Sequence, residues 1–142
     1  MVASRARDGV QPASDLPRLI GGHQAVIITA PLTSRTRGLV DSEFLAAMDD
    51  GSMLVNAGRG QIVDTAALVA ELKARRLRAA LDVADPEPLP RGHELWQCPG
   101  VIISPHSART VPGVNRLCYE VAASQISSFV AGAVPSNSVD RA

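Results

Sequence analysis

The sequence predicts an α/β fold built on a parallel sheet, and two observations carry that prediction. Short runs rich in Val, Ile, Leu and Ala recur along the 142 residues, and the intervening stretches switch to helical spacing. Strands that are apolar without alternation read as buried on both faces. Helices between them supply the crossovers that parallel pairing needs.

The elements follow in order. Ala25–Thr29 is a continuous apolar run, broken by Pro31-Leu-Thr-Ser. Asp41 or Ser42 can cap a short helix over Glu43–Met48, with Glu43 favourably placed in its first turn and Asp49-Asp-Gly51 ending it. Ser52–Asn56 is the next strand, stopped by Gly58 and Gly60. Asp64 caps a second helix with Leu68, Val69 and Leu72 on one face, and Lys73, Arg75 and Arg76 in its last turn complement the helix dipole. Arg78–Val83 is a third strand, closed by the proline-rich run Asp85–Pro90. Val101–Ser104 is a fourth, stopped by Pro105, and a last helix is expected over about residues 112–130, followed by a polar tail.

Composition narrows the function classes. At 46% hydrophobic, 20% charged and zero formal net charge, the chain reads as one globular domain with a real core. Balanced charge argues against a nucleic-acid footprint or an anionic membrane surface. No apolar run reaches the roughly 18–20 residues of a membrane span. Residues 1–11 carry two arginines and no apolar stretch after them, unlike a secretory signal, so a cytoplasmic location is expected. Cys98 and Cys118 form no Cys-x-x-Cys pattern and are expected as reduced, buried or half-buried thiols. His23, His93 and His106 show no ligand spacing, and no metal is expected.

In open α/β sheets ligands bind beyond the carboxyl ends of the strands. Three strand ends here carry polar groups: Asn56-Ala-Gly-Arg59-Gly60, Asp82-Val-Ala-Asp-Pro-Glu87 and Ser104-Pro-His106. Singly each is weak. A strand-end arginine is more often a surface charge, a glutamate among prolines a solvated loop, and a histidine after proline a turn residue. An arginine, a carboxylate and a histidine at consecutive strand ends make a more specific pattern.

These segments resemble the D-2-hydroxyacid dehydrogenases. Leu54-Val-Asn-Ala-Gly-Arg-Gly-Gln-Ile-Val-Asp64 is similar to that family's arginine motif, Leu81-Asp-Val-Ala-Asp-Pro-Glu-Pro88 to its glutamate motif and Ile103-Ser-Pro-His106 to its histidine motif. Ala30-Pro-Leu-Thr-Ser-Arg-Thr-Arg-Gly38 looks like its Pro-Leu-Thr-x-x-Thr-x-Gly segment. The resemblance implies a Rossmann-type doubly wound sheet and an NAD(P)-dependent oxidoreductase that interconverts 2-oxo acids and D-2-hydroxy acids.

It also implies roles. Arg59 would fork onto the substrate carboxylate and polarise the neighbouring carbonyl. His106 would protonate the carbonyl oxygen as hydride arrives, and take the proton back in oxidation. Glu87 would bond the other imidazole nitrogen and fix the ring; its carboxylate favours this branch over formate dehydrogenases, where Gln is expected. Asp82 would bind the nicotinamide carboxamide. Pro31, Ala57 and Gly58 would lie along the cofactor, with Ser107 and Ala108 beside the nicotinamide. Many members have one or two glycines shortly after the histidine; here Ser107-Ala108-Arg109 stand, and the Cβ atoms of 108 and 109 could crowd the ring.

The sequence has no Gly-x-Gly-x-x-Gly, the turn whose backbone meets a dinucleotide pyrophosphate. Val2-Ala-Ser-Arg5 resembles the end of the family's second strand, just past that turn, and Arg5 is placed to meet a 2′-phosphate, leaving NAD and NADP both open. Phe129–Val139 resembles the family's closing segment. The expectation is therefore that residues 1–142 are an incomplete NAD(P)-binding domain, a partial doubly wound sheet without its first strand, glycine-rich turn and substrate domain. Val2–Ser4 would then lack a neighbour, and the strand at Ala25 would be an apolar edge open to pairing. Three readings follow: a truncated dehydrogenase with little activity alone, or half of a split enzyme completed by an N-terminal half; a non-catalytic binding or homo-oligomerising remnant; and a corepressor-like member that senses NAD(H).

Overall fold

The computed structural model describes residues 2–3 and 9–136 and divides into two compact units, Met1–Ser107 and Ala108–Ala142. The first unit holds β1 (Val2–Ala3), β2 (Gln11–Pro12), α1 (Leu16–Leu19), β3 (Ala25–Ile28), α2 (Ser42–Ala46), β4 (Met53–Asn56), α3 (Thr65–Lys73), β5 (Arg78–Leu81) and β6 (Val101–Ile103). The second holds α4 (Val114–Val130).

β3, β4, β5 and β6 form a parallel sheet in that order. One face carries the core: Ile28, Leu54, Ala79 and Leu81 pack with Phe44 and Leu45 of α2 and with Leu68, Val69 and Leu72 of α3. The stripe expected on the second helix is thus the stripe it buries. The other face is apolar too. Ile27, Val55, Ala80 and Ile102 stand in one cross-strand row, and the outer two are 64% and 69% exposed.

Among the described residues β3 is an edge of the sheet, as expected. Val2 and Ala3, expected to have no neighbour, instead pair in parallel with Gln11 and Pro12. Ser4 lies outside the described residues, and the closing segment is described only as far as Ser136.

Helix boundaries follow local chemistry. Asp41, not Ser42, caps α2 by accepting the Phe44 N–H at 2.9 Å, and Asp64 caps α3 through the Ala67 N–H at 3.0 Å. α3 stops at Lys73, so two of the three cations assigned to its last turn do other work. Arg75 turns the chain at φ 56°. The Arg76 guanidinium reaches across to the last turn of α2, donating to the carbonyls of Leu45 and Met48 while bonding Glu71 at 2.6 Å. Lys73 pairs with Glu94 at 2.9 Å. Both cysteines are free. Cys98 is half-buried, and that burial holds its thiol above the usual range; Cys118 is exposed, contrary to expectation. No helix among the described residues is long and apolar enough to cross a membrane.

Candidate active site

Parallel pairing brings all four strand ends of the sheet to one rim, and register decides who sits beside whom. Ile28, Asn56, Leu81 and Ile103 form the last paired row. The ladder runs one residue further: Ala57 N–H bonds Ile28 O, Asp82 N–H bonds Asn56 O and Ser104 N–H bonds Leu81 O, at 2.9–3.0 Å. Ala57, Asp82 and Ser104 are therefore neighbours, and the loops that follow start from fixed points.

The loop after β4 is tied down by Asn56. This residue is 1% exposed, because its place in the strand points it into the core. A buried amide must be bonded, and here its Oδ1 accepts the Gly58 N–H at 3.0 Å while its Nδ2 donates to Arg59 O at 3.0 Å. Arg59 itself is exposed at the rim, with extended backbone and Nη1 donating to Gly58 O at 2.6 Å. Gly58 is there for space: a Cβ would lie 2.8 Å from Ala30 O. On the neighbouring loop, Pro31 O accepts the Thr36 hydroxyl at 2.7 Å, which closes the Pro31–Gly38 turn on itself.

The loop after β5 is held from α3, where the Thr65 hydroxyl donates to Asp85 O at 2.9 Å. It delivers Glu87 to His106 beyond β6, with Glu87 Oε1 and His106 Nδ1 2.7 Å apart. The pair is half-exposed, at 39% and 46%. An ionised carboxylate can only accept, so Nδ1 carries the hydrogen and Nε2 is the nitrogen left to exchange a proton with a ligand. His106 adopts φ 52°, rare for a residue with a Cβ. Asp82 Oδ1 accepts the Ser104 hydroxyl at 2.7 Å and the Ser107 N–H at 2.8 Å.

The rim thus gathers Pro31, Ala57, Gly58, Arg59, Asp82, Glu87, His106 and Ser107, all in the first unit. Ala108 opens the second unit, and Arg5 lies outside the described residues. Sequence reasoning set Asn56 and Ser104 at polar strand ends without giving either a role, and passed over Thr65. A polar residue at the core-facing place of Met-Leu-Val-Asn56 was the available signal for the first; the other two depend on contacts across elements. Among the described residues no group of His, Cys, Asp and Glu could hold a metal ion.

Residues 2–108 match the family described as D-isomer specific 2-hydroxyacid dehydrogenase, NAD binding domain. The chain belongs to that family. It is 36% identical over 127 residues to a glyoxylate/hydroxypyruvate reductase B of Enterobacter agglomerans, an alignment covering 89% of this chain and 39% of that protein. A D-isomer specific 2-hydroxyacid dehydrogenase of Xanthobacter autotrophicus Py2, solved with NADPH and MES, superposes with a TM-score of 0.85 at 35% identity, over 99% of this chain and 59% of that one. An NADPH-dependent glyoxylate/hydroxypyruvate reductase of Sinorhizobium meliloti, solved with NADP and sulfate, gives 0.84 at 28% identity, over 98% and 46%. The chain therefore spans between 39% and 59% of the length of these relatives.

The rim fits one end of a dinucleotide better than the other. The exposed backbone and small apolar surface at Pro31 and Ala57, after β3 and β4, suit the flat face of a nicotinamide ring, and Asp82 and His106 follow the next two strands along the rim. For the pyrophosphate the sequence offers no glycine-rich turn at a helix N-terminus.

Proposed function

We propose that this chain is the C-terminal part of an NAD(P)-binding domain and carries the Arg–Glu–His half of the active site of an oxidoreductase interconverting 2-oxo acids and D-2-hydroxy acids. The observation that carries the reading is the His106–Glu87 pair, 2.7 Å apart on a rim that also bears Arg59. A bound NADH or NADPH would supply or accept the hydride. Arg59, with its planar fork of donors, binds the substrate carboxylate and draws electron density from the adjacent carbonyl. His106 gives the Nε2 proton to the carbonyl oxygen in reduction and recovers it in oxidation. Glu87 holds Nδ1–H and faces the protonated ring with negative charge. Asp82 lies within the ladder, beside the strand end that leads to His106, and would also meet the nicotinamide carboxamide; Gly58 and Ser107 would line the same end of the cofactor.

Glyoxylate and hydroxypyruvate are the substrates of first choice, given what the similar reductases are named for, and pyruvate is a third 2-oxo acid to try. The phosphate-binding turn and a substrate domain come from a separate or adjoining N-terminal segment, and the chain alone turns over little. The test measures NAD(P)H oxidation with each 2-oxo acid, for the chain alone and mixed with such a segment. Turnover in the mixture, abolished by His106→Ala, is expected. Turnover unchanged by that substitution would sink the assignment.

A second reading has its own observation. Among the described residues β3 presents an unpaired edge with Ile27 64% exposed, a feature suited to pairing with another chain. A non-catalytic, self-associating module would give multimers by size-exclusion chromatography and no turnover in any mixture.

A further inference from the structure

We infer that Asp82 is a positioning residue for His106, holding the left-handed backbone that directs the imidazole at Glu87. The inference deepens the reading of His106 as the proton-transferring group, and it assigns Asp82 a task that is complete before any cofactor binds.

The starting point is the backbone at His106. At φ 52° a residue with a Cβ sits where it stays only if its surroundings impose the conformation. Most of the restraints come from one residue, with Ser104 O sharing the His106 N–H at 3.0 Å. Asp82 O accepts the His106 N–H at 2.9 Å, and Asp82 Oδ1 accepts the Ser107 N–H at 2.8 Å and the Ser104 hydroxyl at 2.7 Å. Positions 104, 106 and 107 are thus tied to a single side chain and its carbonyl, on both sides of the strained residue. Register makes this possible, because Leu81 pairs with Ile103 and so sets Asp82 beside Ser104.

The partner is fixed independently. Glu87 rides on a loop held by the Thr65 hydroxyl at Asp85 O and by the close approach of Gly60 to Ala84. If φ at 106 relaxed to an ordinary value, the Cβ direction would swing and the ring would leave a carboxylate unable to follow. What Asp82 contributes is an acceptor at one point in space, so an amide oxygen there serves as well as a carboxylate.

The test uses the full chain labelled with 15N, without cofactor or substrate. Wild type should show a downfield imidazole Nδ1–H resonance from the Glu87-bonded ring, assigned by its loss in His106→Gln. Asp82→Ala should lose that resonance and speed hydrogen exchange at the Ser107 amide by about tenfold or more. Asp82→Asn should keep both near wild type, a rescue that general destabilisation at this site would not give. Ser104→Ala should keep the resonance and speed Ser107 exchange modestly. A folded Asp82→Ala chain that retains the His106 resonance overturns the inference, as does an Asp82→Asn chain that loses it. Should Asp82→Ala not fold, the other two variants decide: unchanged Ser107 exchange in Ser104→Ala is then the contrary result. Since no turnover is read, an inactive enzyme with the ring in place would count against the proposed function and leave this inference standing.

Discussion

A Cβ placed on Gly60 would lie 1.9 Å from the carbonyl oxygen of Ala84. The backbone after β4 and the backbone after β5 are therefore in direct contact, and the loop carrying Arg59 is the surface against which the loop carrying Glu87 rests. Gly60→Ala must force those two loops apart. It should cost about 3 kcal/mol or more, seen as a lower urea midpoint. Gly92→Ala is the control: its Cβ meets nothing within 4 Å, and the change should stay within about 0.5 kcal/mol.

Glu87→Gln keeps an oxygen that can accept from His106 Nδ1–H but removes the charge facing the protonated ring. On the proposed function, kcat for 2-oxo acid reduction in a mixture with an N-terminal segment should fall by about tenfold to a hundredfold. KM should move little, because Arg59 is untouched. Steady-state kinetics check this, and a fall in KM alone would contradict it.

Arg76 joins α2 to the end of α3 from a side chain only 23% exposed. Its bond to Glu71 raises its affinity for the proton above the ordinary value, outweighing the opposing effect of burial, so it is charged at every working pH. Arg76→Ala would leave the last carbonyls of α2 and the Glu71 carboxylate without this partner, at a cost of about 2–3 kcal/mol by chemical denaturation. Arg76→Lys should recover less than half, since one ammonium cannot reproduce a fork spanning Leu45, Met48 and Glu71.

The Lys73–Glu94 pair is a surface contact with a readable titration. The Lys73 hydrogen bond, then its charge, holds the Glu94 carboxyl below its ordinary value of 4.5. A depressed folded value means the pair's contribution is present above that ordinary value and disappears as pH falls through the folded one. Because Glu94 is fully exposed to solvent, the effect on stability should be slight. Lys73→Ala should move the Glu94 midpoint up towards 4.5 in a carboxyl chemical-shift titration. An unmoved midpoint would count against the pairing.

Much of the fold was legible because its signals are local. Leu68, Val69 and Leu72 declare one face of α3 by spacing alone, and Asp41 and Asp64 declare helix starts by being short acceptors ahead of helical runs. Arg75 and Arg76 misled for a related reason. Cations near a helix end usually answer that helix's own dipole, whereas here a left-handed residue turns the chain and Arg76 serves a different helix. The pairing of Val2–Ala3 with Gln11–Pro12 was also out of reach, since two-residue strands carry no periodicity.

By itself the sequence determined which residues could do chemistry and at which strand ends they would stand, because side-chain identity and the strand–helix alternation are both written along the chain. Arg59, Glu87 and His106 were nameable on those grounds. Tertiary structure alone decided how they are held. Parallel register set Asp82 beside Ser104, an absent Cβ at Gly60 let two loops touch, and the hydroxyl of Thr65 caught a carbonyl 20 residues away. Such contacts join positions whose separation along the chain says nothing of their distance in space, so no local pattern could announce them.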